Sequence, residues 1–290
     1  MEEYSIFHIE GGLGKNVAAT AVAKCIKNNF PDRKLIVVAT YPEIFLTLPF
    51  VDKVYRLGIT PYFYEDFILN KNSLIFKHEP YFTGDHIYKR KHLIENWCNL
   101  YGLTYRGEGP ELIFNLRHKQ LALRDWQRDK PVMILQTNGG PVNEQPFNYS
   151  WARDMPFSVS KSIVNTFKDK YHIIQICRNA NNVIEGTEPV FKPMTNMELF
   201  SMLLVSEKRV LIDSCMQHAA AAMGLKSTVL WIGTSPIIFG YGSNINIVAE
   251  LPDIKLPDSY LFDFSFHGST QECPFIDENI FDLNIVNENI

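Results

Sequence analysis

The stretch from Asp213 to Gly224 has the residue types of an anion-binding helix start. A short apolar run, Val210–Ile212, precedes two favoured N-cap residues, and the alanine-rich run that follows is a strong helix former. Free backbone N–H groups and the helix dipole attract phosphate at such a start. A plain strand–helix unit, with a buried histidine satisfied by the backbone, is the alternative. The residues predicted to bind a phosphate are Ser214, Cys215, Met216, Gln217 and His218.

A second candidate site is the turn after the first predicted strand, Tyr4–Ile9. Gly12 and Gly14 allow a backbone to approach a ligand closely, and Lys15 adds a positive charge. The turn is not a dinucleotide fingerprint, because Val17 replaces the third glycine and no acidic residue ends the second strand. Nor is it a P-loop, because no Ser or Thr follows the lysine. A merely tight turn between strand and helix is the other interpretation.

The elements that must position these residues alternate between strand and helix along the chain, which predicts doubly wound parallel sheets of the α/β class. A charged stretch ending in Pro131 predicts a linker between two domains. The predicted units are residues 1–128, residues 131–265 and a tail, residues 266–290, that packs back on the first domain. Within the first domain, Asp85–Leu100 has the spacing of one amphipathic helix, and Glu111–Phe114 resembles a short strand.

Composition narrows the function classes. The chain has 290 residues and a net charge of −4, without the basic excess typical of proteins that bind nucleic acids. Its five cysteines are scattered and include no CxxC, which favours reduced thiols in the cytoplasm over a zinc site. No basic, apolar leader and no apolar run of about 18 residues is present, so neither a signal peptide nor a membrane span is expected.

Several motifs together resemble the glycosyltransferases related to lipopolysaccharide heptosyltransferases. Asp213–Gly224, followed by Gly233-Thr-Ser-Pro236, is similar to the family's second-domain pattern, and Leu135–Gly140 to the opening of that domain. Trp151–Pro156 looks like its basic-x-Trp-Pro element, and the glycine turn like its N-terminal motif. The resemblance implies the GT-B architecture, two Rossmann-like doubly wound domains facing across a cleft. It also implies a nucleotide-sugar donor that serves as substrate rather than cofactor, and an acceptor that carries a hydroxyl group.

Three departures separate this chain from the family pattern. Lys15 stands where the family has an aspartate that looks like its catalytic base, Cys215 replaces a glycine, and Met155 replaces a tryptophan. An inverting transfer still needs a carboxylate to accept the acceptor's proton. The sequence predicts Glu10 for this role, with Asp85 as the next candidate. The alternative for Glu10 is that it holds the glycine loop by hydrogen bonds.

The remaining site predictions concern the donor. Lys15 and Arg153 are candidate cations for the diphosphate, since arginine binds phosphate in a bidentate manner. No metal is expected, because Asp-x-Asp occurs nowhere in the chain. The acceptor is a glycan by default, with modified DNA or a protein as alternatives. Two other hypotheses remain: a non-catalytic nucleotide-sugar-binding protein and a nucleotide-sugar isomerase. Nucleoside contacts are predicted from Thr137, Asn138, Arg178, Asn179 and Met197.

Overall fold

The computed structural model describes residues 2–140, 150–192, 194–251, 273, 275 and 279–290. The first half forms a four-stranded parallel sheet in the order β3-β2-β1-β4. The two central strands are buried on both faces, which suits their continuous apolar sequences. The strands are β1 (Glu3–Ile9), β2 (Lys34–Ala39), β3 (Lys53–Arg56) and β4 (Asn72–Phe76). The helices are α1 (Leu13–Asn29), α2 (Phe63–Phe67), α3 (Gly84–Ile87), α4 (Leu93–Leu100) and α5 (Leu116–Trp126).

The second half forms a six-stranded parallel sheet in the order β10-β9-β8-β5-β6-β7. Its strands are β5 (Val132–Gln136), β6 (His172–Ile176), β7 (Glu188–Val190), β8 (Ser206–Ile212), β9 (Thr228–Trp231) and β10 (Ile245–Val248). Its helices are α6 (Phe157–Phe167), α7 (Asn196–Ser201), α8 (Cys215–Ala222), α9 (Pro236–Phe239) and α10 (Leu283–Glu288). Two parallel sheets with alternating helices confirm the predicted α/β class.

Each sheet has a point where the strand order reverses. In the first sheet the chain leaves β1 toward β2 on one side and later returns to β4 on the other. In the second sheet β5 has β6 on one side and β8 on the other. Such reversals leave a crevice at the carboxyl ends of the two adjacent strands, where ligands bind in open α/β sheets.

One continuous apolar core joins the two halves. Helix α1 packs along α8, and buried side chains of both helices belong to the same cluster. Helix α5 packs on α7 and the turn at Met202–Val205, so its contacts are with the second half although the first domain was predicted to extend to residue 128.

Two local predictions differ from the structure. Asp85–Leu100 is split into α3 and α4, because Lys89 has a positive φ of 53° and the His92 side chain caps the second helix. Glu111–Phe114 is not a strand: the Leu112 N–H donates to the Ala222 carbonyl instead of joining a sheet.

The described part of the tail packs on the second half, so the prediction that it returns to the first domain is wrong for these residues. Helix α10 contacts α6, and Ile280, Phe281 and Val286 are buried in the core of the second sheet. The Thr228 hydroxyl donates to the Asn289 carbonyl at 2.6 Å. These apolar side chains cover a face of the second half that would otherwise be exposed. Within the described ranges, no helix combines the length and hydrophobicity needed to cross a bilayer.

Candidate functional site

A cavity of about 850 Å³ lies between the two strand-order reversals. Its walls include the loop after β1, the loop after β5 and the start of α8, so both sheets contribute through their carboxyl edges. The predicted site residues that line the cavity are Gly12, Gly14, Lys15, Asn138, Arg153, Arg178, Ser214, Cys215, Met216 and His218.

The start of α8 is built as the sequence predicts. Ser214 has an extended backbone, and its hydroxyl accepts a hydrogen bond from the Met216 N–H at 3.2 Å. The same hydroxyl donates to the side-chain carbonyl of Gln136 at 2.5 Å, which ties the ends of β8 and β5 together. The first turn of the helix therefore presents its N–H groups and positive dipole end to the cavity.

The start of α1 meets the start of α8 at the same place. A Cβ atom built on Gly14 would lie 2.9 Å from Cδ2 of His218 and 3.2 Å from Cα of Cys215, so only glycine permits this approach. Gly12 is the N-cap of α1 and has no side chain to satisfy the first N–H groups. Two helix N-termini thus converge on one cavity, an arrangement that favours an anion between them.

Arg153 and Arg178 both line the cavity but have different partners. Arg178 is almost fully buried and donates to both the Asp154 carboxylate, at 2.9 Å, and the Gly139 carbonyl, at 2.8 Å. Through Nη2 its guanidinium thereby holds the loop after β5. Arg153 pairs with buried Asp213 at 3.6 Å and is 43 % exposed, so it retains donors for a ligand.

Lys15 forms an ion pair that was not predicted. Its ammonium lies 2.7 Å from both carboxylate oxygens of Glu79, which follows β4, and 5.3 Å from the centre of the Tyr81 ring. Burial raises the pKa of Tyr81, so the ring beside the lysine is a neutral phenol. Glu79 follows the carboxyl end of the fourth strand, and this position in the sequence is the signal that could have identified it.

His218 lines the cavity as a neutral group. Burial lowers the pKa of His218 to about 3, and the nearby His92 and Arg153 act in the same direction. Its Nδ1 is hydrogen-bonded to the hydroxyl of Tyr241 at 2.8 Å. Burial also lowers the pKa values of His86 and His92 to about 4. We refer to His86, His92 and His218 as the three low-pKa histidines.

The two carboxylates predicted as bases are not among the residues that line the cavity. Glu10 is exposed at the end of β1. Asp85 pairs with Lys91 at 3.0 Å, on the first half. The structure therefore places neither of these carboxylates in the cavity wall.

Four of the other predicted contacts also lie outside the cavity wall. Thr137 is buried and hydrogen-bonded to Gln175, and Asn179 caps the turn that follows it. Met197 and Gln217 are buried, the latter donating to the Phe239 carbonyl at 2.9 Å. Cavity residues that the sequence did not predict include Tyr41, Tyr81, Lys192, Met194, Asn196 and Leu199.

No protein-family model matches the chain, and no curated protein sequence matches it. Several solved structures do match the chain. A glycosyl transferase family 9 protein from Veillonella parvula has a TM-score of 0.67 at 14 % identity, covering 99 % of this chain and 95 % of its own. The E. coli ADP-heptose lipopolysaccharide heptosyltransferase II has a TM-score of 0.63 at 12 % identity, covering 86 % and 91 %.

The iron-containing heptosyltransferase TibC of E. coli, solved with ADP-D-β-D-heptose, has a TM-score of 0.66 at 12 % identity, covering 100 % of this chain and 74 % of its own. The structures match along almost the whole chain, whereas the sequences differ at most positions. The chain therefore has the GT-B fold predicted from its sequence, two Rossmann-like domains of doubly wound parallel sheet that face each other across a cleft.

Proposed function

We propose that the protein is a GT-B glycosyltransferase that moves a sugar from a nucleoside diphosphate sugar to a hydroxyl acceptor. One observation carries this proposal: the starts of α1 and α8 converge, at the reversals of two facing sheets, on a single cavity of about 850 Å³. That volume falls within the range of ligand pockets, roughly 300–1,000 Å³. The structural neighbours named above are glycosyltransferases, and their names supply the first donor to test, ADP-heptose.

In this proposal the donor diphosphate lies on the first turn of α8. The N–H groups of Cys215 and Met216 and the guanidinium of Arg153 are its ligands. The nucleoside extends toward the ends of β5 and β6, where the wall includes Asn138 and Cys177. The sugar then faces the start of α1 and the first half of the chain.

The chemistry is an inverting displacement without a metal ion. The acceptor oxygen attacks the anomeric carbon while the bond from that carbon to the diphosphate oxygen breaks. Arg153, Lys15 and the two helix starts stabilise the negative charge that develops on the leaving group, the task that cations perform in other phosphate-transfer sites. His218 is neutral at physiological pH and serves as a hydrogen-bonding group rather than as a charge.

The acceptor in this proposal is a glycan, because a structural neighbour is named for its action on lipopolysaccharide. The cysteines at positions 25, 98, 177, 215 and 273 are all free, which supports work in the reducing cytoplasm.

The experiment is a thermal-shift screen of nucleotide sugars with adenine, uracil and guanine bases, followed by calorimetry. Arg153→Ala should weaken binding roughly 10- to 150-fold, the effect of losing a charged hydrogen bond. Arg124→Ala is the matched control, since Arg124 is 70 % exposed and pairs with Asp125 on α5. Failure of every nucleotide sugar to bind would contradict the proposal.

Product analysis separates the remaining hypotheses. A glycosyltransferase releases nucleoside diphosphate, an isomerase converts the sugar nucleotide without releasing it, and a binding protein does neither. The departure at Lys15 is the observation that keeps the binding protein as the second candidate, because the residue at the family's base position is a cation paired with Glu79.

A further inference from the structure

The Lys15–Glu79 pair lies across the strand-order reversal of the first sheet. Lys15 comes from the loop and helix after β1, and Glu79 from the loop after β4, the strand hydrogen-bonded beside it. The lysine side chain is 14 % exposed and the glutamate 25 %, so the carboxylate is reachable from solvent while the ammonium borders the cavity. The pair therefore lies where an acceptor from outside would meet a donor inside.

We propose that Glu79 is the catalytic base of this site, and that Lys15 holds it inactive until the donor diphosphate takes over the lysine. This inference rests on the proposed function. It moves the carboxylate of the reaction from the loop after β1, where this chain has a lysine, to the loop after β4.

The hydrogen bonds of Glu79 explain how Lys15 holds this carboxylate inactive. Both oxygens of Glu79 accept from the Lys15 ammonium at 2.7 Å. A carboxylate engaged in this way has fewer lone pairs available for an incoming hydroxyl proton. A diphosphate bound on the first turn of α8 brings two or more negative charges beside the start of α1, which adjoins it, and the ammonium then has a second partner of higher charge. One carboxylate oxygen is released toward the acceptor.

Geometry favours Glu79 over the other carboxylates. Glu10 is exposed and does not line the cavity, and Asp85 is engaged with Lys91. Asp213 does line the cavity, but it is buried against Arg153 on the donor side. Glu79 does not itself line the cavity, but both of its carboxylate oxygens contact the ammonium of Lys15, which does, and its side chain retains an exposed edge.

The proposed transfer is a displacement at the anomeric carbon of the donor sugar. The acceptor hydroxyl gives its proton to a Glu79 oxygen as its own oxygen forms a bond to the anomeric carbon. The bond from that carbon to the diphosphate breaks, and the electron pair leaves on the nucleoside diphosphate, which Lys15 and Arg153 stabilise. Glu79 then loses the proton to solvent when the diphosphate departs and Lys15 returns.

The first test needs no acceptor and measures binding of ADP, UDP and GDP by calorimetry. Glu79→Gln frees Lys15 and should tighten binding of the preferred diphosphate about tenfold, whereas Lys15→Met should weaken it roughly 10- to 150-fold. The gain from Glu79→Gln should vanish in the Lys15→Met background, because the two residues act through one contact. Glu111→Gln is the matched control: Glu111 pairs with Lys24, another lysine of α1, away from the cavity.

The second test measures release of nucleoside diphosphate in a single turnover. Glu79→Gln should slow it by two to four orders of magnitude, the approximate scale of a lost general base, although the variant binds diphosphate more tightly. Glu79→Asp should recover part of the rate and keep the same limb of the pH profile. A merely structural ion pair would instead change the melting temperature and leave these readouts unmoved.

The outcomes are distinguishable. A wild type that binds no nucleoside diphosphate overturns the proposed function and this inference with it. Binding and turnover that are both unchanged in Glu79→Gln overturn this inference alone. Loss of turnover in Glu10→Gln with normal turnover in Glu79→Gln would also overturn it, by assigning the base to Glu10.

Discussion

Replacing Gly14 by alanine tests whether the two helix starts meet as described. Gly14 lies in the first turn of α1, where alanine would ordinarily stabilise a helix by about 1 kcal/mol. Here the new Cβ would lie 2.9 Å from Cδ2 of His218 and 3.2 Å from Cα of Cys215. The imidazole is fixed by its bond to Tyr241, and the second atom is backbone, so neither neighbour can move without cost.

Overpacking of this kind costs about 1–3 kcal/mol, which exceeds the gain in helix propensity. We therefore expect Gly14→Ala to lower the free energy of unfolding by about 1–2 kcal/mol and the melting temperature by roughly 2–3 °C. Diphosphate binding should weaken as well, because the N–H groups of α1 and α8 shift apart.

Gly12→Ala is the matched control in the same loop. Gly12 has an ordinary extended backbone, with φ −67°, and a Cβ there would meet nothing within 4 Å. The free energy of unfolding of the Gly12→Ala variant should stay within about 0.5 kcal/mol of the wild-type value. Urea unfolding of both variants provides the comparison. If Gly14→Ala is as stable as Gly12→Ala, or more stable than wild type, the contact between the two helix starts is refuted.

Three further predictions follow from the same contacts. Arg178→Ala leaves the Asp154 carboxylate without its buried partner and should destabilise the fold by about 3–5 kcal/mol in urea unfolding, an effect that Arg124→Ala, at an exposed ion pair, should not show. Ser214→Ala removes the N-cap of α8 and should cost about 0.5–2 kcal/mol together with some diphosphate affinity; equal affinity would exclude the α8 start as the phosphate site. The three low-pKa histidines have folded-state pKa values of about 3–4, below the 6.5 of the unfolded chain, so the unfolded state binds more protons in acid. Their contribution to stability is complete above about pH 6.5, and the free energy of unfolding falls toward pH 4 by up to about 4 kcal/mol per pH unit. An unfolding free energy that does not depend on pH over this window would contradict these lowered pKa values.

The second-half site was predictable because its parts are contiguous. The apolar run Val210–Ile212, an N-cap serine and an alanine-rich helix follow one another between residues 210 and 222, and local propensity agrees with the fold at each step. The glycine turn was predictable for the same reason, since Gly12 and Gly14 lie at the start of a long helix.

Contacts between distant segments were not predictable from one sequence. Glu79 is 64 residues from Lys15, and only the strand order places β4 beside β1. Arg178 was expected to contact the nucleoside, but the sequence did not show that its Nη2 would also bind Asp154, 24 residues away. The periodicity around residues 85–100 was correct on average, yet it could not show that His92 starts a new helix.

The most direct test of the central claim is a crystal structure with ADP, or with UDP or GDP if that diphosphate binds more tightly. We expect the diphosphate to lie within hydrogen-bond distance of the N–H groups of Cys215 and Met216, with Arg153 on one side and Lys15, moved away from Glu79, on the other. A diphosphate bound elsewhere, for example in the charged hollow beside Arg128 and Lys168, would contradict it.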